Sequence, residues 1–206
     1  MGMGVRASRR WHWQGLWARA TVVLASCIVM VGPLRAEAGA VDTRAHIYEV
    51  MVEGKAQSVL SFLPVEHVFK KGLPGAAIIG SMQVSPAAGG EITADNVRVN
   101  PQFVALLQDF IARTAPTDPA FERAAREQGE GWIYIIDRRT PTPQGHVPLE
   151  DILGAFEVRN GVLVPGSYES MATSHRIVGA HGMFQLDGFL YPRLLEVLKQ
   201  LPAPAT

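Results

Sequence analysis

Two residues, Asn160 and Gly161, leave the chain around them little choice. They stand between the runs 155–159 (AFEVR) and 162–164 (VLV). A two-residue hairpin turn that matches strand twist needs positive φ at both central positions, and Asn-Gly supplies this with the least strain. Such a turn also sets register: Arg159 pairs with Val162, Val158 with Leu163 and Glu157 with Val164. Side chains alternate along a strand, so Phe156, Val158 and Leu163 share one face while Glu157 and Arg159 point away. Pattern and register agree on a hairpin with one apolar face that other elements must cover.

Helix signals flank it. Asn100-Pro101 is an N-cap followed by proline at the first helical position, where no N–H is needed. Phe103, Leu106, Leu107, Phe110 and Ile111 then recur at spacings of three and four, which predicts an amphipathic helix over about 101–114. Asp118-Pro119 repeats the start signal for a second helix over 119–128, with Phe121, Ala124 and Ala125 inward and Gly129 as its stop. Leu190, Leu194, Val197, Leu198 and Leu201 mark a third helix over 190–201, whose regular part starts late because of Pro192. Trp132 to Ile136 is bulky and β-branched and reads as a central strand. Residues 173–178 read as a further strand. The order predicts an α+β domain: a small antiparallel sheet including the hairpin at 155–164, with the three helices packed on one face. Residues 41–84 are harder to read. The run 46–52 fits a strand or the start of a helix, 58–63 and 76–84 look like buried strands, and 85–90 is a loop by composition.

The N-terminus reads as a targeting leader. Arg6, Arg9, Arg10 and Arg19 form a basic region, 20–34 carries no charge, and Ala36-Glu37-Ala38 offers a signal-peptidase site. The apolar run falls short of the ~18–20 residues that span a bilayer. The expectation is a cleaved signal peptide, 1–38, and a single exported domain, 39–206, without a permanent transmembrane span. Leu24-Ala25-Ser26-Cys27 resembles a lipobox, which makes a lipoprotein tethered through Cys27 the alternative. Ser8-Arg9-Arg10 resembles a twin-arginine signal, without the usual aliphatic residues after it.

Cleavage changes the composition. Residues 1–38 hold five Lys/Arg and one Glu, and subtracting these from totals of 19 and 19 leaves 14 basic and 18 acidic residues. A mildly acidic chain with no basic stripe is a poor partner for nucleic acid. Cys27 is the sole cysteine. The exported domain therefore has no disulfide, thiolate nucleophile, cysteine-ligated zinc or thioether haem, and must be held by its core alone.

The polar residues between 137 and 182 supply the candidate site. Asp137 closes the predicted central strand and is followed by Arg138 and Arg139, then by a proline-rich loop containing His146. In an extended 166–182 segment His175, Ile177, Gly179 and His181 fall on one face, with Glu169 nearby. Two imidazoles with His146 or Glu169 are a possible metal-ligand set. However, a strand separates His175 from His181 by roughly 20 Å, so one ion joins both only where the chain folds back; the expectation is no metal. Glu150-Asp151 are adjacent, which suits a helix start or solvated acids better than an acid–base dyad. There is no G-x-S-x-G elbow, no S-x-x-K and no phosphate-cradling glycine motif, and no cofactor is expected. The favoured reading is a non-catalytic binding or accessory domain, periplasmic if the host is a Gram-negative bacterium. It would take a protein or small-molecule ligand through loop 138–148 and the hairpin. The alternative is a metal-dependent or hydrolase-like enzyme that gathers Asp137, Arg138, His146, Glu169, His175 and His181.

Overall fold

The computed structural model describes residues 20–21, 45–139 and 147–203. Most of the leader, Cys27, His146 and most of the proline-rich loop lie outside the described residues. The fold is α+β: four α-helices and several small antiparallel sheets.

The first sheet has the order β1-β2-β3-β4-β5, built from Ala20–Thr21, His46–Val52, Lys55–Ser61, Gly80–Met82 and Val97–Val99. The ambiguous run 46–52 is a strand. Tyr48 and Val50 are buried and Glu49 is exposed, which is the period-two pattern of a half-buried strand. A second two-residue turn fixes it: Glu53 and Gly54 both have positive φ (50° and 76°), and β2 pairs with β3 from His46↔Ser61 to Val52↔Lys55. The short β1 pairs with Met51 and Val52 at the outer edge of β2.

Between β3 and β4 lies a short helix, α1 (Val65–Lys71), which the sequence reading did not foresee. The strand expected over 76–84 shrinks to Gly80–Met82, because the chain before it is held as a tight turn at Gly75–Ala77. Asn100, fully buried, holds that turn: its Nδ2 donates to the carbonyls of Gly75 (2.9 Å) and Ile78 (2.7 Å). Its Oδ1 accepts from Gln102 N–H at 3.0 Å, so one side chain both anchors the turn and caps the next helix.

That helix, α2, spans Pro101–Thr114, and α3 spans Pro119–Gln128, capped by Asp118 Oδ1 on Ala120 N–H. Both match the bounds predicted from their caps. The second sheet follows: β6 (Gly131–Ile136), β7 (Ile152–Arg159), β8 (Val162–Leu163) and β9 (Glu169–Ser170). β7 pairs with β6 on one side and with β8 and β9 in turn on the other. The hairpin has the predicted register, Arg159↔Val162 and Val158↔Leu163, and φ is positive at Asn160 (51°) and Gly161 (74°). Val164 N–H still donates to the Glu157 carbonyl at 2.9 Å, and beyond it Ser167 Oγ takes over as acceptor for Glu157 N–H at 3.0 Å.

The strand expected over 173–178 is corrected. Residues 172–174 form a turn, closed by Ser174 and His175 N–H on the Met171 carbonyl. Only β10 (Val178–Gly179) and β11 (Gly182–Met183) follow, as a small ribbon. The last helix, α4 (Leu190–Lys199), is shorter than 190–201 and keeps Pro192 in its first turn. Asp187 Oδ1 accepts from Phe189 and Leu190 N–H at its start.

One apolar cluster joins these parts. Phe62 at the end of β3 makes edge contacts with Phe103 of α2, Phe184 and Tyr191 of α4, with centroids 5.5–6.3 Å apart. Phe121 of α3 packs edge-on against Phe156 of β7, which seats α3 on the hairpin's apolar face.

Candidate functional site

β6 ends by carrying its inside-outside alternation past the strand. Ile135, Asp137 and Arg139 are buried, while Tyr134 and Arg138 are exposed. Two charged side chains thus enter the interior where the pattern calls for apolar ones. Burying charge is costly unless every group is paired and hydrogen-bonded.

The pairing here is dense. Arg139 Nε lies 3.0 Å from Asp137 Oδ2 and 2.9 Å from Asp151 Oδ1. Its Nη1 donates to the Gly182 carbonyl at 3.0 Å, and its Nη2 to the carbonyls of Glu150 (3.1 Å) and Arg176. Asp137 is served on both oxygens. Oδ1 accepts from Arg139 N–H and Gln185 N–H, each at 2.9 Å, and Oδ2 faces His175 Nε2 at 3.2 Å. His175 packs its ring edge-on against Phe184. The guanidinium lies against Gly179, where a Cβ would meet Nη1 at 2.9 Å. Asp151 Oδ2 is the one buried side-chain oxygen among the described residues with no hydrogen-bond partner.

The result is a clamp. It ties the end of β6 to the turn before β7, the 171–176 turn and the β10–β11 ribbon. Arginine suits this place because its rigid fork of donors reaches several acceptors at once.

Of the six predicted site residues, the structure brings two together, Asp137 and His175. Arg138 is adjacent in sequence but its side chain faces outward. Glu169 is exposed on β9, and His181 is exposed in the turn between β10 and β11. His146 lies outside the described residues. Among the described residues no three His, Cys, Asp or Glu are grouped to hold a metal ion. Sequence reasoning missed Arg139 and Asp151. Asp151 was expected at a helix start or as a solvated acid; it lies in the short helical turn Leu149–Asp151 with its side chain buried, and the alternation through 135, 137 and 139 was the available sign for Arg139.

A second buried polar group braces the same end of β7. The pairing of β6 with β7 slips at Leu153, an extra residue on β7. Gln108 Nε2 donates to the freed Leu153 carbonyl at 3.3 Å, and Met171 N–H donates to it at 3.2 Å. Tyr168 Oη donates to Gln108 Oε1 at 2.5 Å. Burial of Tyr168 pushes its phenol pKa well above the usual range.

The outer face of the second sheet is of another kind. Trp132 and Tyr134 share it with Glu157, Arg159 and Val162 by the strand registers. Trp132, Tyr134 and Val162 are 38%, 47% and 65% exposed, and Arg159 pairs there with Glu157 at 2.7 Å. No described helix is long and apolar enough to cross a membrane. Comparison with family models, with curated proteins and with solved structures gave no match.

Proposed function

We propose that this chain is an exported, non-catalytic binding domain that takes a protein ligand on the outer face of the second sheet, beside the hairpin and the start of loop 138–148. The observation that carries this reading is the exposed Trp132–Tyr134–Val162 face. Aromatic residues displayed with a charged rim are the usual anchors of protein interfaces. Asp137 and Arg139 are meanwhile spent on neighbouring groups: Asp137 has no oxygen left over, and all three guanidinium nitrogens of Arg139 are engaged. Export rests on the leader at 1–38, and a periplasmic address on the same segment.

A photo-crosslinking residue at Tyr134 or Val162 of the protein in its own cell tests this. It should capture a protein that the same residue at Phe69, an exposed site on α1, does not. The mature chain should begin near Gly39, and Cys27→Ser should leave its location unchanged. The Asp137–His175 contact favours a catalytic second reading. Turnover of a substrate by the purified protein, abolished in a still-folded Asp137→Asn variant, would replace the binding reading with that one.

A further inference from the structure

We propose that Asn160 is a self-modification site: its side-chain amide closes on the Gly161 backbone nitrogen, loses ammonia and leaves aspartate or isoaspartate in the hairpin turn, at a rate set by the linker between α3 and β6. The chain has three asparagines, and only this one is placed to react. Asn100 is followed by Pro101, which has no N–H to give up, and its side chain is committed to Gly75, Ile78 and Gln102. Asn96 is followed by branched Val97, and its amide is held by Val84 N–H and by the carbonyls of Val84 and Glu91 at 2.6–2.9 Å. Asn160 is exposed, and among the described residues nothing hydrogen-bonds its side-chain amide. Gly161 puts no side chain in the way of ring closure.

The reaction needs nothing but water. Gly161 N loses its proton to hydroxide and attacks Asn160 Cγ. A C–N bond forms, the bond from Cγ to Nδ2 breaks, and Nδ2 leaves as ammonia with a proton drawn from water, which regenerates the hydroxide. Water then opens the cyclic imide at one of its two carbonyls. One opening leaves aspartate in a normal backbone. The other leaves isoaspartate, with the backbone running through Cβ and Cγ of residue 160. The balance is one water in and one ammonia out.

The folded turn holds the attacking nitrogen back. Gly161 N–H donates to the Gly129 carbonyl at 2.7 Å, and Asn160 N–H donates to Glu130 Oε1 at 2.9 Å. A Cβ on Gly161 would lie 3.3 Å from Arg126 Cα, so the tip sits flush on the end of α3. An N–H engaged in such a bond is not free to lose its proton, and ring closure requires the tip to lift off the linker. Little holds the tip down, since the Glu130 bond is exposed and β8 is two residues long. Isoaspartate adds a backbone carbon to a two-residue turn whose register depends on its length. Val162 then loses its pairing with Arg159 and its place on the outer face. The modification stands whether or not that face binds a ligand.

The test keeps the folded protein in mildly alkaline buffer and follows each asparagine by peptide mass and isoaspartate content. Asn160 should convert while Asn96 and Asn100 stay intact. Glu130→Ala removes the exposed bond to the turn and should speed conversion about tenfold, with faster hydrogen exchange at the Gly161 amide and a circular dichroism spectrum that shows it still folded. Glu130→Gln keeps an acceptor without the charge and should fall between the two. Unfolded in urea, all three proteins should convert at one fast rate, because the linker no longer holds the turn. An Asn160 that outlasts Asn96 in the folded protein overturns the proposal. So do equal rates in folded and unfolded protein, or a Glu130→Ala protein that converts no faster than the wild type.

Discussion

Along β6 the chain reverses the common distribution of side chains twice in eight residues. It exposes aromatics at Trp132 and Tyr134, and it buries charge at Asp137 and Arg139. The two reversals are answered differently. Each buried charge meets partners from within the molecule, through contacts spanning up to 48 residues. The exposed aromatics stay partly in solvent, Trp132 at 38% and Tyr134 at 47%. Polar groups satisfied internally explain why the end of the strand stays in place. Apolar groups left outside point to something else that covers them, because a folded chain gains by burying such surface.

The largest effect should come from breaking the clamp. Arg139→Met leaves Asp137 and Asp151 buried without their cation, and removing one partner of a buried pair costs about 3–5 kcal/mol. Urea unfolding should show this as a large fall in midpoint. Arg139→Lys should recover little, since an ammonium cannot serve acceptors fixed for a planar fork. A stable Arg139→Met protein would mean that the clamp is not structural, and the contrast between the two ends of β6 would collapse.

Next in size is Gly154→Ala. A Cβ there would lie 2.5 Å from the Tyr168 ring, and overpacking of this kind costs about 1–3 kcal/mol. Tyr168 also predicts a pH dependence. Its phenol pKa is raised by burial, so the unfolded chain loses that proton first. The stability it supports is fully present below about pH 10, the unfolded value, and is lost as pH rises above it. Tyr168→Phe should flatten the alkaline limb of the stability curve while costing about 1 kcal/mol for the bond to Gln108.

How far the sequence carried differs between these features for a physical reason. The hairpin, α2 and α3 were legible because their causes are local: Asn160-Gly161, Asn100-Pro101 and Asp118-Pro119 act within a few residues. α1 was not, because seven residues (VEHVFKK) are too few for helical period to separate from chance. The segment 173–178 looked like a strand, and tertiary pull overrode that: His175 is drawn to Asp137, 38 positions away. Asp137 and His175 were singled out as chemistry, yet Arg139, which organises them, was read only as a neighbour of Asp137 and left out of the candidate site. Its partners come from four separated segments, and no spacing in the sequence announces that.

Sharper still is a substitution at the exposed end of β6. Trp132→Ser with Tyr134→Ser should change stability by about 0.5 kcal/mol or less per site. It should nonetheless abolish crosslinking at Val162. A large loss of stability would mean that the aromatics belong to the core after all.

The smallest effect separates burial from charge. His67 on α1 has its pKa lowered, first by partial desolvation and then by Lys71 and Lys199. A base with a depressed folded pKa resists protonation in the folded state while the unfolded chain accepts the proton. Stability is therefore fully present above about pH 6.5, the unfolded value, and declines as pH falls through the folded one. His67 faces solvent on one side, which screens the lysines, so the decline is shallow and weaker again in salt. His67→Gln should remove it, and Lys71→Gln should reduce it only in part, because desolvation is the larger cause. A full loss of the slope in Lys71→Gln would make charge, not burial, the dominant cause at this histidine. Stability measured between pH 5 and 7.5 at low and high salt decides between the two.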